Sequence, residues 1–320
     1  MKLEEKTLRF GAAMLLVAII LRIFAPLNFT YLFSRDGFIS TMIVMSTGRW
    51  VDGQEHTPST QPEKTEPLQA VFSLQELSAV ALDNPQGFEV DLHQALCTSL
   101  SWELAGNEPT VLIVHSHGTE AFAGSPNWRS ENESNNMISI GAQVAVLLEN
   151  AGIRVIHDRT AHDLPSYNAA YDSSRAAIEG YLDRYPSIQL VLDLHRDAAA
   201  DEAGNQIGYT ANHNGENAAK MMLVVSAYDY RAGGTQWQKN FAFATKLQLQ
   251  LEQLCPGICR PMALRVFDFS QDISPTGLLV EMGFAGNTQE EVLRSARLLA
   301  DAIIALQNGS QIITAVNAPS

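Results

Sequence analysis

From about residue 108 the sequence repeats one pattern: short, continuous apolar runs separated by longer stretches with helical apolar spacing. Few architectures accept it. The runs are "TVLIV" (110–114), "IRVIH" (153–157), "IQLVLDL" (188–194), "MMLVVS" (221–226), "MALRVF" (262–267) and "GLLVEM" (277–282). Each is short for a helix and apolar at successive positions, as a strand covered on both sides requires. The stretches 135–150, 166–184, 236–254 and 288–307 read as helices. Gly152 supplies a left-handed stop in "ENAGIRV", and Asn287 or Thr288 can cap "NTQEEVLRS", which has acids in its first turn. The expected fold class is α/β, a mainly parallel twisted sheet with helices on both faces. In such folds ligands sit beyond the carboxyl ends of the strands.

The chain before residue 108 has a different character. Lys2, Lys6 and Arg9 precede an apolar run over 10–21 that resumes past Arg22 towards residue 33. Positive flanks ahead of such a run, with no small-x-small cleavage site after it, predict an uncleaved membrane anchor over 1–33. Arg22 costs a few kcal/mol in the span, about what snorkelling can recover. The anchor implies a single-pass cell-membrane protein with its amino terminus inside and everything later extracytoplasmic. Residues 34–67, including the polar, proline-bearing "DGQEHTPSTQPEKTEP", read as a linker. Residues 68–107 read as a small helical segment that packs on, or lies before, the main domain (108–308), and 309–320 as a tail. A net charge of -14 excludes a nucleic-acid surface, which needs clustered Lys and Arg. Cys97, Cys255 and Cys259 are too few for a disulfide framework or a four-thiolate zinc site. Cys255 and Cys259 could pair across Pro256-Gly257 or remain free thiols.

Three of the predicted strands end in, or contain, chemically loaded residues. The first leads into His115, His117 and Glu120; the third, "LVLDLHRDA", gives Asp193, His195, Arg196 and Asp197; the last carries Glu281 between apolar neighbours. A zinc hydrolase needs two or three imidazoles or carboxylates, a vacant coordination position, and a carboxylate to take a proton from water. Pieces from separate strands of one sheet can meet that need. Plainer readings compete: polar residues are common at strand ends, and Glu281 could be neutralised by Arg265 or Arg196, because an unpaired carboxylate among apolar groups is costly. His115 and His117, at i and i+2, would point the same way in an ideal strand. "HDRTAHDLPSY" holds the pairs His157-Asp158 and His162-Asp163, which bind a ligand or fix their own loop. Tyr167, Tyr171 and Trp237 read as helix-face packing ahead of sugar platforms, and Asn287 as a helix cap ahead of a residue that reaches the site.

"VLIVHSHGTEAF", "IRVIHDRTAHDLPSYNAAYDSSR", "IQLVLDLHRDA" and "GLLVEMGFAGNTQEEVLRSARLLADAI" together resemble the stage II sporulation protein P family over about residues 108–308. "GLLVEMGFAGN" is also similar to the closing strand of zinc-dependent N-acetylmuramoyl-L-alanine amidases. The resemblance implies hydrolysis of the amide between the lactyl group of N-acetylmuramic acid and L-alanine, with endopeptidase cleavage of cross-links as an associated activity. It implies peptidoglycan as substrate, septal degradation during engulfment in sporulation, and a lytic transglycosylase as partner. By position it implies His117, Glu120 and His195 as zinc ligands and Glu281 as the catalytic carboxylate. Glu133 is the alternative middle ligand, because the broader amidases place that glutamate farther along, where Glu131 and Glu133 stand. His115, Arg196 and Asp197 are expected to touch substrate, with His115 alternatively orienting a ligand or packing, and Arg196 and Asp197 alternatively forming ion pairs with neighbouring residues. Two other readings stay open: a non-catalytic peptidoglycan-binding scaffold, and a different extracytoplasmic zinc peptidase or deacetylase.

Overall fold

In a computed structural model, which describes residues 78–125 and 128–316, each apolar run becomes a strand. In chain order the elements are β1 (Leu82–Asp83), α1 (Leu92–Cys97), β2 (Val111–Val114), α2 (Met137–Asn150), β3 (Val155–His157), α3 (Ala170–Arg184), β4 (Leu190–Asp197), β5 (Thr210–His213), β6 (Glu216–Ala219), β7 (Met222–Ser226), α4 (Gln236–Leu254), β8 (Met262–Arg265), β9 (Gly277–Phe284) and α5 (Gln289–Val316). Seven strands form one sheet in the order β1-β8-β7-β9-β4-β2-β3, and β5 and β6 form a separate hairpin. Every neighbouring pair in the large sheet is parallel except β7 and β9, which run antiparallel. The sheet is thus mainly parallel, in two oppositely directed blocks that meet at β9.

Side-chain alternation sorts the strands onto two unequal faces. Val111, Ile113, Leu190, Leu192, Leu194, Leu278, Val280 and Met282 join the large core shared with α2, α4 and α5. The intervening Leu112, Val114 and Val191 pack under Ile178 of α3, and Leu279, Val224 and Ala263 under Tyr171 and Phe269. One face therefore carries most of the helices and the other is covered by α3 and loops.

Local chemistry sets the helix ends. The Asn136 side chain accepts the Ile138 N–H at the start of α2, and Gly152 takes φ +84° after its end. Before α5, Thr288 and Glu291 form a reciprocal box: the Glu291 N–H donates to Thr288 Oγ1 and the Thr288 N–H to Glu291 Oε2.

Of the two placements expected for this segment, residues 78–107 pack on the main body: Val80, Phe88, Leu96 and Leu104 lie in the large core and β1 extends the sheet. The tail begins later than expected, since α5 continues to Val316. The three cysteines are free thiols. The expected anchor (1–33) and linker (34–67) lie outside the described residues. Among those described, no helix is long and apolar enough to cross a membrane.

Candidate metal centre

The thinly covered face gathers the polar residues. In β4, Val191 packs on that face, so Asp193 and His195 project from it as well. In β9, Leu279 packs there, so Glu281 does too, and the register sets Glu281 directly beside His195. Past Glu281 a one-residue bulge breaks the register where Gly283 adopts φ +132°, a conformation open to glycine.

β2 stops at Val114, and a turn over 116–119 redirects the chain. His115 keeps the strand's alternation and points towards α2, whereas His117 comes round to the opposite side. Donor atoms of His117, Glu120 and His195 consequently lie within 4.8 Å of one another, and all three residues are buried. Glu120 sits between the imidazoles, Oε1 3.6 Å from His117 Nδ1 and Oε2 3.7 Å from His195 Nδ1. The Arg196 backbone N–H donates to Glu120 Oε2 at 3.1 Å. Glu133, the alternative ligand, is ion-paired with Arg159 on an exposed turn and stands outside this group.

Asp193 orients His195. Its Oδ1 lies 2.8 Å from His195 Nε2, close but off the N–H axis, so charge more than a linear hydrogen bond carries the contact. Asp193 is itself held by the Ser116 N–H (2.9 Å) and hydroxyl (2.6 Å), and that hydroxyl meets Ser174 of α3 at 2.7 Å. With Nε2 turned to Asp193, Nδ1 is the nitrogen that faces Glu120 and the common centre.

The ionisation states follow from burial and neighbours. Burial alone would lower His195, but the charge of Asp193 outweighs it and lifts the imidazole to about 10. Burial would raise Asp193, but His195 draws it down to about 2. Glu120 is likewise held below the ordinary carboxylate range: burial opposes, while contact with His117 and the charges of His195 and Arg196 prevail. Glu281 goes the other way. Burial pushes it up to about 8 against the pull of His195. The residue is half-buried overall, yet its Oε2 is shielded from solvent and has no hydrogen-bond partner. Neither cation considered for it arrives: Arg265 bonds Asp83, and Arg196 turns to Glu120 and to the carbonyls of Ala121 and Trp128.

Two imidazoles and one carboxylate, buried and convergent, are the three-ligand set of a catalytic zinc, which leaves the fourth position for water or substrate. The residues present fit that ion.

The residues expected to touch substrate are placed otherwise. The His115 ring is 0% exposed, so direct substrate contact is corrected. Its Nδ1–H donates to the Leu194 carbonyl, and its Nε2 lies 3.0 Å from His157 Nε2. Burial lowers His115 to about 4 and His157 to about 3, so both rings are neutral and His157 is the donor of the pair. The pair lies under Gly141 of α2, where an added Cβ would come 2.3 Å from His115 Nε2. Gly141→Ala should gain up to about 1 kcal/mol of helix propensity and lose about 1–3 kcal/mol to overpacking. A net fall in stability, read by denaturant unfolding, is the expected result. Arg196 is buried and spends its guanidinium on carbonyls. Asp197 pairs with Arg260 at 2.7 Å.

The His-Asp pairs of 157–163 also turn inward. His162 bridges Asp158 and Ser173, while Asp163 accepts from the Thr119 hydroxyl and pairs with Arg129, pinning the loop that carries His117 and Glu120. Asn287 is fully buried and caps Phe284 N. Trp237 packs on Phe241 and Tyr230.

Two residues read as helix packing lie at the centre. Tyr167 stacks on His117 at 4.1 Å, and Tyr171 approaches His117 at 5.2 Å and His195 at 6.1 Å. Their i,i+4 spacing, at the start of a helix that follows a His-Asp-rich loop, is the signal that could have found them.

Comparison with known proteins agrees in family. Residues 49–304 match the family described as stage II sporulation protein P. The chain is 25% identical over 219 residues to stage II sporulation protein P of Bacillus subtilis (strain 168), covering 62% of this chain and 51% of that protein. It thus spans about half the length of the curated relative it matches. Among solved structures, similar chains include the amidase AmiC2 of Nostoc punctiforme (15% identity, 65% of this chain and 99% of that one, TM-score 0.39). Another is the CwlD amidase of Clostridioides difficile, solved with the GerS lipoprotein (14% identity, 66% and 100%, TM-score 0.41).

Proposed function

This chain belongs to the stage II sporulation protein P family, and from that premise we propose that it is a zinc-dependent N-acetylmuramoyl-L-alanine amidase. It would act on septal peptidoglycan during engulfment, with cleavage of peptide cross-links as a second activity of the same site. The observation that carries the reading is the meeting of His117, Glu120 and His195 from two separate segments, with Glu281 in register beside His195.

His117, Glu120 and His195 would hold the zinc. When bound, it supplies a Lewis acid that lowers the pKa of water towards neutrality and offsets charge developing on the scissile carbonyl oxygen. The remaining work falls to the chain. Glu281 accepts the proton of the attacking water at its unpartnered Oε2 and returns it to the departing amine nitrogen. Its pKa of about 8 without a cation, drawn down by a nearby cation, suits both transfers. Asp193 keeps His195 turned with Nδ1 inward, and Arg196 fixes Glu120 through its backbone N–H. Tyr167 and Tyr171 cover the two imidazoles.

The test is digestion of purified peptidoglycan followed by mass analysis of the fragments. Free stem peptides are expected, lost after chelation and restored by zinc. Split cross-links alone would assign an endopeptidase, lost acetyl groups a deacetylase, and binding without products a scaffold. The proposal also places the chain at the cell membrane through residues 1–33, with its site extracytoplasmic and a lytic transglycosylase as partner. The basic flank and apolar run support the anchor, and family membership supports the partner.

A further inference from the structure

A line of aromatic rings leads away from the candidate metal centre through Tyr171. Tyr171, beside both imidazoles, is followed by Phe269 at 5.8 Å, and Phe269 by Phe267 at 6.1 Å. Phe267 is 70% exposed. The rings lie along the thinly covered face: Phe269 and Tyr171 pack on Leu279, Val224 and Ala263, together with Met222, which is in register with Glu281.

The loop that presents Phe267 is held firmly. Phe269 and Ser270 adopt φ +48° and +56°, a region unfavourable to residues other than glycine, so the surroundings must enforce it. Asp268 accepts the Ser270 N–H, the buried Gln271 side chain bonds the backbone of Ser226 and Val224, and Asp272 pairs with Arg175 of α3. The strained backbone at Phe269 and Ser270 fixes the neighbouring Phe267, whose exposed ring continues through Phe269 and Tyr171 to the candidate site.

We propose that Tyr171, Phe269 and Phe267 form a platform on which sugar rings of the glycan strand stack, to one side of the scissile amide. This rests on the amidase reading and extends it. An amide between a lactyl group and a peptide has a saccharide on one side and the stem peptide on the other. The Tyr167 ring is flanked by charge, with Arg129 5.1 Å over it and paired with Asp163. The Phe269–Phe267 side offers uncharged ring faces, which suit the C–H faces of an uncharged sugar.

The experiment compares wild type with Phe267→Ala on two soluble substrates, a muramoyl peptide with one sugar and one carried on four sugars. Because Phe267 is exposed, thermal unfolding of the variant should match wild type. The preference in kcat/KM for the four-sugar substrate should fall about tenfold, the worth of one ring face removed from water, and Phe267→Tyr should restore it. Equal loss on both substrates, or loss on neither, overturns the platform. If wild type cleaves neither substrate, the amidase reading fails by itself. The platform is then judged by co-sedimentation with peptide-free glycan strands: retention of wild type but not Phe267→Ala upholds it, and equal retention overturns it.

Discussion

Replacing Glu281 by Gln should leave zinc bound at wild-type stoichiometry while lowering peptidoglycan turnover by about 10²–10⁴-fold, the usual worth of a positioned acid–base group. Glutamine preserves volume and lies outside the His117–Glu120–His195 group, so metal content should not change. What it loses is the ability to take and return a proton at Oε2, an atom that nothing else in the fold occupies. The pH profile adds a second reading. Burial raises this carboxyl to about 8 without a cation, and a cation beside it favours the ionised form. The acid limb of wild-type activity should therefore fall between the ordinary carboxylate range and about 8. Activity drops below that point, because a protonated Glu281 cannot act as base. Elemental analysis and initial rates across pH decide the matter. Turnover retained by E281Q would remove Glu281 from the mechanism.

Replacing His195 by Ala should have the larger effect, since it removes a ligand and a buried charge together. Zinc should be lost from purified protein and activity should fall by about 10³-fold or more, given several kcal/mol of charge stabilisation at the reaction centre. Metal-free stability should fall as well. Asp193 and Glu120 are both buried and lean on the His195 imidazolium, and removing one partner of a buried pair costs about 3–5 kcal/mol. With its imidazole lifted to about 10, wild type must give up a proton to bind zinc. At pH 8 about one proton from His195 and about half of one from Glu281 should be released per ion, visible as a buffer-dependent binding heat. Full zinc occupancy in H195A would discard the ligand assignment.

The strands and helices were legible because periodicity and burial agree. The stretch 236–254 coincides with α4, and the runs 110–114 and 277–282 fall within two residues of β2 and β9 at each end. Strand direction was not legible, because an apolar run reads the same either way, so the antiparallel junction of β7 and β9 could not be foreseen. The β5–β6 hairpin was signalled by Asn214-Gly215, which adopts φ +53° and +90°. Its flanks, "TANH" and "ENAA", lack the apolar alternation that would have made them strands by pattern. At the site, His117, Glu120, His195 and Glu281 were identifiable by residue type at strand ends and by resemblance. His115 was misplaced because strand alternation was carried on to His117, where the chain has already turned to the other side of the sheet. The role of Asp193 depends on a contact across two residues of its own strand and on Ser116 far away in sequence, which no spacing rule reveals.

The unequal dressing of the sheet bears on how the proposed wall-polymer substrate would be met. When helices blanket both sides of a parallel sheet, only the loop ends are left for a ligand, and small molecules diffuse into them. Here the side that carries Glu281 is covered by α3 and loops, with Tyr171 and Phe269 packed over β7 to β9. A cable crosslinked into a net has no loose end to thread into a hole. Under the proposed function it would be met from the side of the sheet that carries Glu281.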